Sequence, residues 1–120
     1  KMSMGQKKRC LLARALVHNP KILLLDEPTT GLDLSSTYKY MDILSSLKKE
    51  GHNIILVTHN IHEINNVIER VIMLKQGKIV ADGKKDKILT EENLTNTFDI
   101  EVGLKKLNGN LLPYRKTILQ

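Results

Sequence analysis

The sequence has little aromatic character. It contains no tryptophan, one phenylalanine and three tyrosines among 120 residues. Proteins that bind single-stranded nucleic acid commonly stack bases on aromatic rings, and so few rings leave little to build such a platform from. The formal net charge of +6 would suit a nucleic-acid or anionic-membrane partner. The lysines are scattered, however, which is typical of a solvated surface, so we expect no nucleic-acid partner.

Cysteine is equally scarce. Cys10 is the only one in the sequence, which excludes an intramolecular disulfide and fits a reducing compartment. It stands where a basic triplet gives way to an apolar helical segment. We therefore expect Cys10 to be a small buried side chain rather than a nucleophile.

Long apolar runs are absent as well. No segment approaches the ~20 apolar residues that a membrane-spanning helix needs. Residues 1–4 carry a charge but no apolar core and no cleavage site, so we expect no secretory signal. A hydrophobic content of 41% and a charged content of 27% are typical of a globular protein rather than a disordered one. We expect a folded protein that does not insert into a membrane.

What the sequence does contain is an alternation of strand-like and helix-like segments. Residues 22–25 and 53–58 are short aliphatic runs that are apolar on both faces, which predicts buried parallel strands. The alternation predicts an α/β fold with mostly parallel core strands, flanking helices and a small C-terminal β/α extension. The expected elements are a helix at 10–17, a strand at 22–25, a helix at 38–47, a strand at 53–58, a helix at 61–69, a hairpin at 70–81, short helices at 84–89 and 91–98, and a second hairpin within 99–114. Gln76-Gly77-Lys78 predicts the turn of the first hairpin, and Thr90 predicts a cap of the helix at 91–98.

Two adjacent carboxylates follow the first strand without a polar spacer. Asp26 and Glu27 come directly after the apolar residues 22–25, and His59 follows the second strand. Ligands of open α/β sheets bind outside the carboxyl ends of the strands, so we expect the three side chains along one edge. Two like charges near a core are costly unless a cation or a reacting water needs them. The pattern favours a Mg²⁺-nucleotide site over a solvated acidic turn.

These residues also resemble a known family, the ABC ATPases. Met2-Ser3-Met4-Gly5-Gln6 is similar to the signature motif of that family, usually Leu-Ser-Gly-Gly-Gln, and Leu23-Leu24-Leu25-Asp26-Glu27-Pro28 resembles its Walker B segment. Gly31-Leu32-Asp33 resembles the D-loop, and Val57-Thr58-His59 resembles the segment of the switch histidine. Four motifs in the family's order and spacing are far more specific than any one of them. The resemblance covers about the first two thirds of the chain.

The resemblance implies a role for each matching residue. Asp26 would hold the Mg²⁺, Glu27 would accept a proton from the attacking water, and His59 would contact the γ-phosphate. Ser3 and Gly5, at a helix start, would face the γ-phosphate of a nucleotide bound by the opposite subunit. The cofactors implied are ATP and Mg²⁺. The list of implied binding residues is completed by Gln6, which would support the signature loop, and Asp33, which would contact the second subunit.

Simpler interpretations of the same residues stand beside these roles. Ser3 alone is best interpreted as a helix N-cap, and Asp33 before a serine pair fits a cap as well. His59 and His62 have metal-ligand spacing, but without a third clustered ligand they do not predict zinc. Met4 replaces a family glycine where backbone approaches phosphate. We expect the site to survive if the Met4 side chain points away from the phosphate.

One expected motif is not found in the sequence. A phosphate-binding loop has the form Gly-x-x-x-x-Gly-Lys-Ser/Thr, and the nearest candidate, Gly77 to Gly83 with Lys84, has five residues between its glycines and a strand in the gap. In the family this loop lies upstream of the signature motif. We therefore expect this chain to be the C-terminal part of an ABC ATPase subunit, and we expect this part to be inactive alone. Residues 1–83 would belong to the ATPase core, and residues 84–120 would form an extension of the same domain.

The resemblance further implies a transporter subunit. The sequence that follows His59 is similar to that of importer-type subunits. Residues 88–98 resemble the C-terminal tail of subunits for metal-chelate or oxyanion uptake. The expected partners are a second ATPase subunit and transmembrane permease subunits, at the cytoplasmic face of the cell membrane. The alternative is a soluble ABC-type ATPase of DNA repair or translation, which long heptad repeats would have favoured.

Overall fold

The computed structural model describes residues 2–64, 67–108 and 110–116. The chain forms two compact units, Lys1–His59 and Asn60–Gln120, called here the N-terminal unit and the C-terminal unit. None of the helices in the described part of the chain combines the length and the apolar character needed to cross a membrane.

The N-terminal unit packs two helices against one face of a two-stranded parallel sheet. Its elements are α1 (Met4–Leu16), β1 (Ile22–Asp26), α2 (Leu34–Lys49) and β2 (Asn53–Val57). The strands pair from Ile22↔Asn53 to Asp26↔Val57, which brings their carboxyl ends to the same edge. The buried core residues come from α1, β1 and α2: Leu12, Leu23, Tyr40, Met41, Leu44 and Leu47.

The other face of this sheet differs from expectation. Period-two alternation sends Leu23 into the core, but its neighbours Ile22 and Leu24 are 60% and 68% exposed, and Ile55 and Val57 on β2 are exposed too. The aliphatic runs predicted strands buried on both faces. In this structure only the face that meets α1 and α2 is covered, so that part of the prediction is wrong for this chain.

Turn chemistry explains where α2 begins and ends. Asp33 has an extended backbone and caps the first turn, and Gly51 adopts a φ of +99° just after the C-cap residue Glu50. A left-handed residue after a helix suits glycine, which lacks the Cβ that opposes this conformation. His52 follows this turn, and its Nδ1 lies 2.6 Å from the carbonyl oxygen of Pro20.

The C-terminal unit joins two antiparallel hairpins through two short helices. Its core consists of Met73, Leu89, Leu94 and Val102. Along the chain its elements are a 3₁₀ turn (Ile61–Glu63), β3 (Arg70–Lys75), β4 (Lys78–Lys84), α3 (Lys85–Ile88), α4 (Glu91–Phe98), β5 (Val102–Leu107) and β6 (Asn110–Arg115). The first hairpin pairs β3 with β4, and the second pairs β5 with β6.

Two local predictions in this part of the molecule have opposite outcomes. Thr90 caps α4 as expected, since its side chain accepts a hydrogen bond from the backbone of Asn93. The helix expected at 61–69 is wrong, because the described residues of that segment form only the 3₁₀ turn. Residues 65 and 66 of that expected helix lie outside the described residues. The division of the chain at residue 83 stays a prediction.

Candidate functional site

Local hydrogen bonds fix the segment that resembles the signature motif. The Ser3 hydroxyl oxygen accepts from the Gln6 backbone N–H at 3.2 Å, and the Ser3 N–H donates to Gln6 Oε1 at 2.9 Å. This reciprocal pair is a capping box, so the simpler interpretation of Ser3 as an N-cap is correct. Because a serine hydroxyl also carries one donor hydrogen, the cap leaves Ser3 chemically able to donate to an anion.

The next residues of that segment lie partly against other parts of the N-terminal unit. Gly5 is buried within the first turn of α1, whereas Met4 is 52% exposed. A Cβ built on Gly31 would lie 4.0 Å from Met4 Cγ, so the Met4 side chain reaches the turn after β1. Cys10 is exposed, contrary to expectation, because it lies on the solvent side of α1.

Glu27 and His59 meet at the carboxyl edge of the parallel sheet. The Glu27 N–H donates to the Val57 carbonyl at 2.7 Å, which ties the residue after β1 to the last residue of β2. His59 follows β2 two residues later, and its Nδ1 lies within hydrogen-bond reach of Glu27 Oε1. The side chains are 36% and 73% exposed, so solvent and a ligand can reach both.

The backbone of Glu27 is unusual. Its φ is +46°, a left-handed conformation that side chains with a Cβ rarely adopt. The turn that follows is closed by a hydrogen bond from the Thr30 N–H to the Glu27 carbonyl at 3.3 Å. Such strain in a non-glycine residue costs on the order of 1–3 kcal/mol and is concentrated at functional sites. From this backbone the Glu27 carboxylate reaches His59 Nδ1.

The second oxygen of Glu27 faces a residue that the sequence did not single out. Thr30 Oγ1 lies 3.5 Å from Glu27 Oε2, a long contact at the limit of a hydrogen bond. The three-residue spacing within a tight turn was the available signal for it. Glu27 is thus approached by side chains on both of its carboxylate oxygens.

Asp26 lies beside this pair with a different environment. It is the last residue of β1, opposite Val57, and its side chain is exposed. A single exposed carboxylate is a donor that suits Mg²⁺, which takes one or two carboxylates together with phosphate oxygens and water. In the described residues, no group of three or more His, Cys, Asp and Glu side chains has the arrangement of a metal site. Asp26 therefore fits a metal held jointly with a phosphate ligand.

Asp33 is occupied at the start of α2. Its Oδ1 accepts from the Ser36 backbone N–H at 2.7 Å, which caps the helix. That hydrogen bond stabilises the carboxylate and holds the pKa of Asp33 below its usual value. Of the sequence-predicted residues, the structure brings Glu27 and His59 into contact, and it uses Ser3, Gln6 and Asp33 for capping.

The chain is similar to known proteins in both sequence and structure. The family model described as ABC transporter matches residues 1–30. A manganese transport system ATP-binding protein, MntA of Synechocystis, is 43% identical over 109 residues, which are 91% of this chain and 40% of that protein. The chain spans about two fifths of the length of the curated relatives it matches.

Two solved structures extend the comparison to the fold. An inward-facing metal-chelate type ABC transporter matches with a TM-score of 0.84 and 27% identity, covering 98% of this chain and 49% of that one. A dimeric bacterial ABC transporter cassette matches with a TM-score of 0.61 and 39% identity, covering 69% of this chain and 36% of that one.

Proposed function

Because the chain belongs to the ATP-binding proteins of the ABC transporter family, we propose that it is part of a subunit that binds and hydrolyses ATP to energise solute transport across a membrane. The single observation that carries the proposal is the contact between Glu27 and His59. A carboxylate positioned by a histidine at the carboxyl edge of a parallel sheet, beside the exposed Asp26, suits the hydrolysis of a nucleotide phosphate.

In this proposal Glu27 is the general base. Its carboxylate accepts a proton from the water that attacks the γ-phosphate, and the left-handed backbone and the Thr30 contact hold it in place. His59 orients Glu27 by donating from Nδ1. Nε2 lies on the far side of the ring, and it would donate to a phosphate oxygen when both ring nitrogens carry a hydrogen. Both side chains are exposed enough to reach a bound nucleotide.

Asp26 is the residue that we propose for the metal. Its exposed carboxylate at the end of β1 would bind Mg²⁺ together with the nucleotide phosphates. When bound, that ion neutralises charge that develops on the phosphate oxygens. Asp26 contributes a fixed negative charge at a rigid strand end, which places it reproducibly beside Glu27.

A second group of residues is proposed to act across a dimer. Ser3, Gly5 and Gln6 form the rigid start of α1, where an N–H-rich helix end suits an anion. Asp33, at the start of α2, is proposed as a contact to the second subunit. The similarity to a dimeric ABC transporter cassette supports a dimer. In the proposed dimer, the helix start of one subunit completes the nucleotide site of its partner.

The transported solute is proposed to be a metal ion or a metal chelate. Two similar proteins support this class: a manganese transport system ATP-binding protein and a metal-chelate type ABC transporter. The further partners are transmembrane permease subunits, which would hold the ATPase at the cytoplasmic face of the membrane. Transporter subunits among the relatives favour this function over an ATPase of DNA repair or translation.

Substitution of Glu27 by glutamine tests the proposal. In a full-length protein that contains this chain, Glu27→Gln should lower kcat for ATP hydrolysis by about 10²- to 10⁴-fold, the usual contribution of a general base. Binding of Mg-ATP should be retained, since glutamine has the same shape. The matched control is Glu50→Gln, at an exposed glutamate after α2, which should leave kcat unchanged. Normal turnover in Glu27→Gln would remove this residue from the base role.

A further inference from the structure

Gly5 and Ser36 are packed against each other inside the N-terminal unit. Gly5 lies in the first turn of α1 and Ser36 in the first turn of α2. A Cβ built on Gly5 would lie 2.8 Å from Ser36 Oγ and 3.1 Å from Ser36 Cβ. A Cβ essentially never lies 2.8 Å from another heavy atom, and 3.1 Å is a tight contact, so a larger residue at position 5 would make the Ser36 side chain or the two helix starts shift. The neighbouring helix of the same chain therefore favours glycine at this position.

The same serine also contacts the segment that carries Asp33. The Ser36 backbone N–H donates to Asp33 Oδ1, and the Thr37 N–H donates to the Asp33 carbonyl at 2.9 Å. Ser36 thus packs against the turn of residues 3–6 through its side chain. Its backbone N–H fixes the Asp33 carboxylate. One residue links two segments that are both proposed to face a partner subunit.

Met4 also extends toward the second of these two segments. The Met4 side chain reaches to within ordinary van der Waals distance of a Cβ built on Gly31, which has a φ of +82°. Met4 is one of the two residues, with Met2, at which this chain departs from the family's signature sequence. Its side chain runs toward the turn after β1 instead of standing alone at the helix start.

We propose that Ser36 is a positioning residue that locks the turn of residues 3–6 to the turn of residues 31–33, so that both move as one body. The capping box holds the first turn internally, and the Asp33 cap holds the second. Packed elements that are each rigid transmit displacement instead of absorbing it. The proposal rests on the proposed function, because it assigns a purpose to surfaces that would meet a second subunit.

The first experiment tests the packing alone. Replacing a helical glycine by alanine normally stabilises a protein, since glycine is the poorer helix former. Here we expect Gly5→Ala to lower the Tm of a full-length protein that contains this chain by about 2 °C or more. Ser36→Ala, which removes the nearest atom, should restore most of that loss in the double variant. Ser35→Ala is the matched control, because Ser35 is the exposed neighbour on the same helix.

The outcomes of this experiment are distinct. Rescue by Ser36→Ala but not by Ser35→Ala supports the contact and identifies its partner. Equal rescue by both serine variants, or a Gly5→Ala variant that is as stable as the parent, overturns the proposal. The comparison does not depend on nucleotide binding, so it decides the contact whether or not the protein is an ATPase.

The second experiment tests the coupling. In a Glu27→Gln background, which should trap the ATP-bound dimer, Ser36→Val adds bulk against Gly5 and Ser35→Val adds the same bulk toward solvent. We expect Ser36→Val to weaken Mg-ATP-dependent dimerisation, measured by light scattering, by about ten- to a hundredfold, the range expected when an overpacked contact displaces a surface that meets the partner. Ser35→Val should have no such effect.

This experiment separates the two levels of inference. An unchanged dimerisation constant in Ser36→Val overturns the coupling and leaves the proposed function standing. If the Glu27→Gln parent itself forms no ATP-dependent dimer, the proposed function fails instead, and the thermal data still decide whether Gly5 and Ser36 are packed as described.

Discussion

The two units of the chain use their charged side chains differently. In the N-terminal unit, Asp26, Glu27 and His59 collect at the carboxyl edge of a parallel sheet, where each is accessible to a ligand. In the C-terminal unit, the Lys75 ammonium donates to the Asn96 carbonyl and to Asp99 Oδ1, both at 2.6 Å, where it closes the end of α4. The same chemical groups are open to a ligand in one unit and hold loops together in the other.

Glu91 shows the second use most clearly. Its Oε2 accepts from the Leu104 N–H at 2.6 Å and its Oε1 pairs with Lys116 at 3.1 Å. Both carboxylate oxygens of Glu27 also have partners, but these are the imidazole of His59 and the hydroxyl of Thr30. A glutamate bound by a strand N–H and a lysine fixes structure, whereas one that faces a histidine at a sheet edge can exchange a proton.

The largest test of this comparison is a matched pair of histidine variants. His59→Ala should lower kcat for ATP hydrolysis in a full-length protein by about 10²- to 10³-fold, the usual cost of losing one donor to developing charge. His62→Ala changes an exposed histidine in the 3₁₀ turn of the C-terminal unit and should leave kcat within experimental error. An equal loss of kcat in both variants would contradict the difference between the two units.

A core substitution in the C-terminal unit should have the opposite profile. Leu94 has 0% exposure, so Leu94→Ala should lower the free energy of unfolding by about 2–5 kcal/mol through lost transfer energy and a cavity. Leu107→Ala, at a residue that is 59% exposed, is the control and should have little effect. Denaturant titration measures both. We expect kcat of the folded fraction of Leu94→Ala to stay near that of the parent, and a loss as large as that of His59→Ala would contradict this expectation.

The smallest expected effect concerns acid. The backbone hydrogen bond from Leu104, followed by Lys116, holds the pKa of Glu91 below its usual value. A carboxyl whose pKa is lower in the folded state contributes stability above its unfolded pKa and loses it as pH falls through the folded pKa. The stabilisation should therefore fade below about pH 4.5, the ordinary value for glutamate.

Thermal unfolding between pH 7 and pH 3 checks this expectation. Glu91→Gln should flatten the acid limb of the Tm curve relative to the parent. Glu92→Gln, at the exposed neighbour, should follow the parent curve. Parallel curves for Glu91→Gln and the parent would show that this contact does not set the acid stability.

Much of this fold could be predicted from the residues. The alternation of aliphatic and helical segments indicated the parallel pair β1 and β2, and turn residues indicated the hairpin of β3 and β4 and the cap at Thr90. The mixed α/β class and the ABC transporter family are both confirmed. The placement of Glu27 and His59 at one edge of the sheet followed from strand order, because parallel neighbours end at the same edge.

The failures have physical causes. The segment 61–69 is rich in β-branched residues, Ile61, Ile64, Val67 and Ile68, which have weaker helix propensity than the apolar spacing suggested. Apolar character indicates burial only where another element covers the residue, which is why Leu24 and Cys10 are exposed here. The roles of Thr30 and Ser36 depend on distances between turns, and a linear pattern does not carry that information.

The left-handed backbone at Glu27 has a consequence for how this position tolerates change. Glycine and asparagine adopt a φ of +46° at lower cost than glutamate does. Libraries sorted only for folded protein should therefore enrich those two residues at position 27, while libraries sorted for ATP turnover should keep glutamate alone. Selection for folding and selection for ATP turnover should therefore favour different residues at position 27.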